Sequence, residues 1–207
     1  MIIQLAGETN GNLAGVDADG NLFTSSIIRD EYGRYVKTDY STGAMQVIDY
    51  QHHEIHAGSH FFCSIYDSDV DTAAPKYFRI TTPNTTNWGH LLLNFTSSGA
   101  GLWEFFENPT INAAGTSKTI YNSNRNSANT ATLTVFEDTT TTSDGTKLWS
   151  DLTGANGVGG SRTTGNSSRD NEIVLKQNED YILKFTPDAD NAKVVIDIEF
   201  YEHTNLT

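Results

Sequence analysis

The chain has 207 residues and a formal net charge of -13, enough for one sizeable core, or for a small arm plus a domain of about 150 residues. The negative charge would repel phosphate backbones, and no stripe of Lys and Arg offsets it, so we do not expect nucleic acid as a partner. Apolar residues make up 37% and charged residues 19%, and Thr, Ser, Asn and 17 glycines fill much of the remainder. This composition favours strands and turns over helices.

The single cysteine, Cys63, excludes an intrachain disulfide and lies in an apolar run, where we expect it to be buried. No stretch approaches the roughly 20 apolar residues that span a bilayer, so no membrane partner is expected. The first residues, MIIQLAGE, have neither a basic region nor a long apolar one and do not read as a secretory signal. Export would then depend on assembly or lysis.

Residues 1–42 contain short apolar clusters separated by Gly, Asn and Asp. This pattern is typical of small hairpins that lack a core of their own. We predict an extended N-terminal arm with short hairpins over 1–42, which needs a partner, and a β-sandwich domain over 43–207. The large apolar and aromatic side chains of the arm are interface candidates, namely Ile2, Ile3, Leu5, Val16, Leu22, Phe23, Ile27, Ile28, Tyr32 and Tyr35.

From Met45 onward the chain reads as short strands at fairly regular spacing, without an amphipathic helical pattern of ten or more residues. The last strand is the clearest, because Val194, Ile196, Ile198 and Phe200 alternate with more polar residues. The fold class is therefore all-β, a two-sheet sandwich of jelly-roll type. Loops are predicted at 108–115 and 154–170, and we expect the second, which is long and rich in glycine, to be ordered by contact with a neighbouring chain. Strands are predicted at 45–56, 60–66, 76–82, 88–96, 101–106, 117–121, 130–137, 146–152, 171–176, 180–186 and 192–202.

Three histidines and a glutamate lie close together in the segment QHHEIH. In an extended strand, His52, Glu54 and His56 would share one face, and zinc takes both His and carboxylate ligands. The spacing does not fit the helical His-Glu-x-x-His motif, and no Pro-Cys-x-x-Cys accompanies it as in the zinc deaminases. We favour polar contacts at a strand edge or subunit interface, which makes the three residues interface candidates and only weak metal ligands. His60 and His90 would add to a site only if the fold brings them close.

Other chemistry has less support. Asp67, Asp69 and Asp71 are weak candidates for a calcium site, since Asp-rich turns are far commoner. No Gly-x-Ser-x-Gly elbow occurs and nothing near Cys63 would depress its pKa, so we predict no catalytic residue and no cofactor. The three tryptophans and nine tyrosines are compatible with a carbohydrate platform, although single aromatics on strands are more often core or interface anchors.

Several blocks, taken in order, resemble the capsid-associated structural proteins of tailed bacteriophages, of the head decoration or cement type. The likeness covers about residues 43–202, and the block at 121–132 is similar to the family's Asn-x-x-Arg-Asn-Ser pattern. The blocks are 43–60 (GAMQVIDYQHHEIHAGSH), 75–83 (PKYFRITTP), 90–95 (HLLLNF), 101–110 (GLWEFFENPT), 121–132 (YNSNRNSANTAT), 181–186 (YILKFT) and 196–202 (IDIEFYE).

The resemblance implies a non-enzymatic β-sandwich protein on the outer surface of the virion capsid, made in the host cytoplasm. Its partners would be the major capsid protein and further copies of itself. Repeated capsid sites suit a small homo-oligomer, and we favour a trimer over a dimer. A carbohydrate-binding virion, tail or fibre module is the first alternative. The second is a cupin-like metalloenzyme built on His52, Glu54 and His56.

Overall fold

A computed structural model describes residues 50–154 and 172–204, together with short strands at 15–16, 22–23 and 163–166. The chain divides into two compact units, Met1–Ile48 and Asp49–Thr207. In the first unit, β1 (Gly15–Val16) pairs antiparallel with β2 (Leu22–Phe23). The other interface candidates of this unit lie outside the described residues: Ile2, Ile3, Leu5, Ile27, Ile28, Tyr32 and Tyr35.

The second unit holds one short helix and a series of strands among the described residues. In chain order they are α1 (Tyr50–Ala57), β3 (His60–Val70), β4 (Lys76–Thr81), β5 (Asn87–Ser97), β6 (Gly101–Glu107), β7 (Thr110–Ala113), β8 (Thr116–Ser117), β9 (Tyr121–Asn122), β10 (Thr134–Glu137), β11 (Thr140–Ser143), β12 (Thr146–Thr153), β13 (Thr163–Asn166), β14 (Ile173–Val174), β15 (Asp180–Pro187) and β16 (Ala192–Thr204).

The strands form two main antiparallel sheets. One has the order β12-β6-β15-β4-β10-β8, and the other has the order β13-β5-β16-β3-β9, with β14 also pairing with β5. Successive long strands alternate between the sheets. Eight of the described strands therefore form the two four-stranded halves of a jelly roll, β3-β16-β5-β13 and β4-β15-β6-β12. The prediction of an all-β sandwich of jelly-roll type is confirmed.

The core lies between these two sheets. Ile196, Ile198 and Phe200 of β16 are fully buried, as the alternation along this strand predicts. Trp103 from the opposite sheet is also fully buried, and its ring centroid lies 4.7 Å from that of Phe95. Cys63 is buried as expected, and burial raises the pKa of its thiol to about 11.

The prediction of a strand at 45–56 is wrong over the residues described, because 50–57 form α1. The helix ends at Ala57, and the next residue, Gly58, has a φ of 76°, the left-handed conformation that commonly terminates helices. The intervening Ser59 leads directly into β3, which begins at His60.

The predicted loop at 108–115 is wrong in part, because it contains β7, which pairs antiparallel with β11 to form a separate two-stranded ribbon. The glycine-rich segment 154–170 contains β13, which pairs with β5 of the same chain. We expected contact with a neighbouring chain to order this segment. For 163–166, however, the strand that pairs with it belongs to the same chain. Most of the rest of the segment lies outside the described residues.

Candidate functional site

The C-terminus of α1 is fixed by backbone hydrogen bonds of the Schellman type. Gly58 N donates to Ile55 O at 3.1 Å and Ser59 N donates to Glu54 O at 3.0 Å. The carbonyl oxygen of Gly58 in turn accepts from the side-chain amide of Asn122 at 2.8 Å. The helix is therefore tied to β9 as well as to β3, which follows it.

The helical conformation separates the three side chains that a strand would have placed together. His52 and His56 are one turn apart and exposed, whereas Glu54 is only 5% exposed and accepts a hydrogen bond from Ser59 Oγ. The prediction that all three share a face is wrong, because that face required a two-residue period. Within the described ranges, no group of three or more His, Cys, Asp or Glu side chains is arranged to hold a metal ion.

His60 follows the helix as the first residue of β3, and its ring is almost entirely buried. The amide nitrogen of Gln51 can only donate, so His60 Nε2 accepts from it at 3.2 Å, and His60 Nδ1 donates to Ser123 Oγ at 2.7 Å. Burial lowers the pKa of His60, and the negative charge of Glu54 partly opposes this. Burial and the hydrogen bond that Nε2 accepts both favour the neutral form of the ring.

These contacts superficially align a serine, a histidine and a carboxylate, since Glu199 Oε2 lies 3.9 Å from His60 Nε2. A catalytic base would need its free ring nitrogen directed at the hydroxyl. Here the accepting nitrogen faces Gln51, and the nitrogen that faces Ser123 carries the proton. The arrangement orients the His60 ring without activating the Ser123 hydroxyl.

A second buried histidine lies on the same face of the sheet. His90 of β5 and His60 of β3 are both register partners of Tyr201 in the intervening strand β16. His90 Nδ1 donates to Glu172 Oε1 at 3.1 Å, and Tyr201 Oη donates to Glu172 Oε2 at 2.5 Å. The His90 ring stacks on Tyr201 and on His203, with centroid separations of 4.5 and 4.4 Å.

Burial lowers the pKa of His90, and the hydrogen bond to Glu172 acts in the opposite direction. Among the described residues, His90 Nε2 is buried without a hydrogen-bond partner. We call this group, together with Glu54 of α1, whose charge acts on both histidines, the junction cluster. Its members are Glu54, His60, His90, Glu172, Tyr201 and His203.

Sequence reasoning considered His60 and His90 only as additions to a metal site and did not identify Glu172 or Tyr201. For Tyr201 the sequence contained one signal, the alternation along β16, which places this residue on the face opposite Phe200. The register that brings His60 and His90 to either side of Tyr201 is a tertiary feature that no local pattern encodes.

The acidic run in β3 is engaged in local structure. Asp67 Oδ2 accepts a hydrogen bond from Lys76 Nζ at 2.6 Å, and Asp67 Oδ1 accepts from the backbone of Asp69. Burial alone would raise the pKa of Asp67, but hydrogen bonding to Lys76 holds it below its ordinary value. Asp71 Oδ1 accepts from Asn191 N. The three carboxylates are therefore not brought together as a calcium site in the part of the chain that the structure describes.

Both outer faces of the sandwich carry exposed apolar side chains. On one sheet Tyr66 is 61% exposed and lies opposite Val195 in the register, beside a cleft of about 350 Å³ that Lys193 also lines. On the other sheet Leu152 is 71% exposed and lies opposite Leu102. We call these surfaces the Tyr66 patch, formed by Tyr66 and Val195, and the Leu152 patch, formed by Leu152 and Leu102.

Two of the three tryptophans belong to the core rather than to a surface platform. Trp103 is fully buried, and Trp149 stacks on Phe95 and Phe105 with centroid separations of 5.9 and 5.8 Å. Trp88 is the exposed one. This distribution agrees with the expectation that single aromatics on strands are core or interface anchors.

No family model, curated protein or solved structure matches this chain. Across the described ranges, no helix has the length and apolar character needed to cross a membrane. The functional argument therefore depends on the residues and their arrangement.

Proposed function

We propose that this chain is a non-enzymatic structural protein of a tailed-phage virion, which binds the outer surface of the assembled capsid and stabilises it. The observation that carries the proposal is the pair of exposed apolar surfaces on the two sheets, the Tyr66 patch and the Leu152 patch. Protein–protein contacts commonly form around exposed apolar side chains that lie side by side, and each patch supplies such a pair for the centre of a contact. We propose the major capsid protein as the partner because residues 43–202 resemble head decoration proteins.

Stabilisation would follow from mass action. A protein that binds the assembled shell but not its dissociated subunits shifts the equilibrium toward the shell. A capsid presents the same site many times, so a small homo-oligomer can combine several weak contacts into tight attachment. We propose a homo-oligomer of this kind, with a trimer in preference to a dimer.

Co-sedimentation with expanded capsids that lack the protein tests the proposal. We expect saturable binding and a higher temperature of capsid rupture in the decorated particles. Binding without thermal stabilisation would instead support a carbohydrate-binding module displayed on the virion, which a glycan array would then examine. Failure to bind capsids would overturn the decoration role and favour a tail or fibre position.

Matched variants then test the apolar surfaces. Tyr66→Asp and Leu152→Asp each place a charge in one patch, while Thr130→Asp adds the same charge at an exposed position outside both. We expect Thr130→Asp to bind like the unmodified protein and at least one patch variant to lose binding, which identifies the face that meets the capsid. Wild-type binding by both patch variants would show that neither apolar surface is the contact.

A further inference from the structure

The exposed side of α1 brings two imidazole rings together. His52 and His56 are separated by one helical turn, and their Nε2 atoms lie 2.9 Å apart in a hydrogen bond, in which one nitrogen donates and the other accepts. The ring centroids are 4.7 Å apart and the ring planes are inclined at 53°. Because the nitrogens are closer than the centroids, the rings converge at their Nε2 edges. Both side chains are exposed to solvent, so an ion can reach this edge.

A metal ion bound at this edge would take the place of the proton that the two nitrogens share. Two imidazole nitrogens that bind one metal at about 2.0–2.1 Å and at a right angle also lie about 2.9 Å apart, whereas tetrahedral ligands lie about 3.3 Å apart. Right-angled nitrogen ligands are characteristic of tetragonal Cu²⁺ and Ni²⁺. We propose that His52 and His56 chelate a tetragonal divalent transition metal, Cu²⁺ in preference to Ni²⁺, through their Nε2 atoms.

The surroundings of the helix make the pair well suited to chelation. The Schellman contacts at Gly58 fix the last turn, and Asn124 Nδ2 donates to the carbonyl oxygen of His56 at 3.3 Å. Glu54 anchors the opposite side of the helix, since it is buried and bonded to Ser59. A rigid helix holds both rings near the binding geometry and reduces the entropy lost on chelation. The net charge of -13 also favours a cation.

This site differs from the three-ligand site considered from the sequence, because Glu54 takes no part in it. It also stands independently of the proposed capsid role. Copper is favoured because affinity at nitrogen sites rises from Ni²⁺ to Cu²⁺ and falls again at Zn²⁺.

Calorimetric titration of the full chain with Cu²⁺ or Ni²⁺ tests this inference. We expect one ion per chain at this site, and a loss of affinity of about 100-fold in His52→Gln or His56→Gln, because the second ligand of a chelate binds intramolecularly. The matched control is His53→Gln, which removes an exposed histidine of the same helix and leaves the pair intact. This control should retain the full affinity.

Electron paramagnetic resonance of the Cu²⁺ form provides a second readout. We expect a tetragonal spectrum with coupling to two imidazole nitrogens, reduced to one in either pair variant. Circular dichroism establishes that each variant is folded. The single variants His52→Ala and His56→Ala provide a second pair for the same measurement. Wild-type affinity in His52→Gln, or an equal loss in His53→Gln, would overturn the proposal.

Discussion

Glu202 illustrates how one side chain can hold an end of the sandwich. It is 7% exposed, and its carboxylate oxygens accept from the backbone N–H of Thr132 at 3.0 and 3.1 Å and from that of Leu133 at 2.8 Å. The hydroxyl of Thr132 donates to the same carboxylate at 2.9 Å. Four hydrogen bonds thus connect β16 to a segment 70 residues earlier in the chain.

We expect Glu202→Ala to lower the free energy of unfolding by about 2–4 kcal/mol, because two backbone N–H groups at a buried site lose their acceptor. Glu202→Gln should cost less, since its amide oxygen can still accept. Urea unfolding measures both values. Asp188→Ala removes an equal charge from an exposed position and should change stability by no more than about 0.5 kcal/mol. A loss in Glu202→Ala no larger than in this control would contradict the argument.

At the scale of elements, a chain of hydrogen bonds connects the two sheets. Trp103 Nε1 in β6 donates to Thr153 Oγ1 of β12 at 3.1 Å. Ser97 Oγ of β5 lies 2.7 Å from Thr153 Oγ1 and 2.6 Å from Gly99 O. Since Ser97 donates its proton to that carbonyl oxygen, Thr153 must donate to Ser97. The hydroxyl of Thr153 therefore serves both as an acceptor and as a donor.

Thr153→Val keeps the size of this side chain and removes the hydroxyl. We expect a loss of about 1–3 kcal/mol in the free energy of unfolding, because the fully buried Trp103 Nε1 loses its partner. Thr153→Ser keeps the hydroxyl and loses one methyl group, so it should cost only about 1 kcal/mol. Thermal or urea unfolding of the two variants side by side decides the matter. If Thr153→Val were more stable than Thr153→Ser, the proposed role of the hydroxyl would be excluded.

The elements differ in how far the sequence predicts them. The long strands were predictable because a sheet with one buried face imposes a two-residue period, as in β16. The helix α1 was not, because histidine is a poor helix former and eight residues do not form a stable helix alone. Its stability comes from tertiary contacts such as those at Gly58. The Gly that follows Ala57 was the one local signal of a helix end.

The same reasoning separates the predictable from the unpredictable parts of the candidate site. The sequence identified His52, Glu54 and His56 as a group, but the conformation decided which of them meet. The junction cluster depends on the register of β3, β16 and β5. Pairings between residues far apart in the chain leave no trace in local spacing, so Glu172 and Tyr201 became visible only in the structure.

At the scale of the whole molecule, the buried histidines make stability depend on pH. The pKa values of His60 and His90 are both lowered from 6.5, chiefly by burial. Their folded environments contain Gln51, Ser123, Glu54 and Glu199 around His60, and Glu172, His203 and Glu54 around His90. As the pH falls below 6.5, the unfolded chain binds protons before the folded one does. Stability is therefore fully present above this value and is lost on acidification.

We expect the urea midpoint to fall between about pH 7.5 and about pH 5, and the fall to be smaller in a His60→Gln/His90→Gln variant. Glu199 acts in the opposite direction, because burial and then Asp197 raise its pKa above 4.5 and so favour the folded state in acid. Its contribution should make the fall of the urea midpoint with decreasing pH less steep at the acidic end. An equal midpoint at both pH values, or an unchanged slope in the double variant, would contradict this account.

The chain divides into Met1–Ile48 and Asp49–Thr207, so the contribution of each unit to the proposed capsid binding can be tested separately. The eight jelly-roll strands all belong to the second unit, so we expect a chain lacking residues 1–42 to remain folded, with a urea midpoint close to that of the full chain. We expect this truncated chain to lose attachment to expanded capsids, because we propose that the apolar residues of the arm add strands or anchors to a neighbouring subunit. Co-sedimentation at matched concentrations measures the loss. If the truncated chain occupied the capsid fully, the sandwich alone would carry the binding and the arm would have another role.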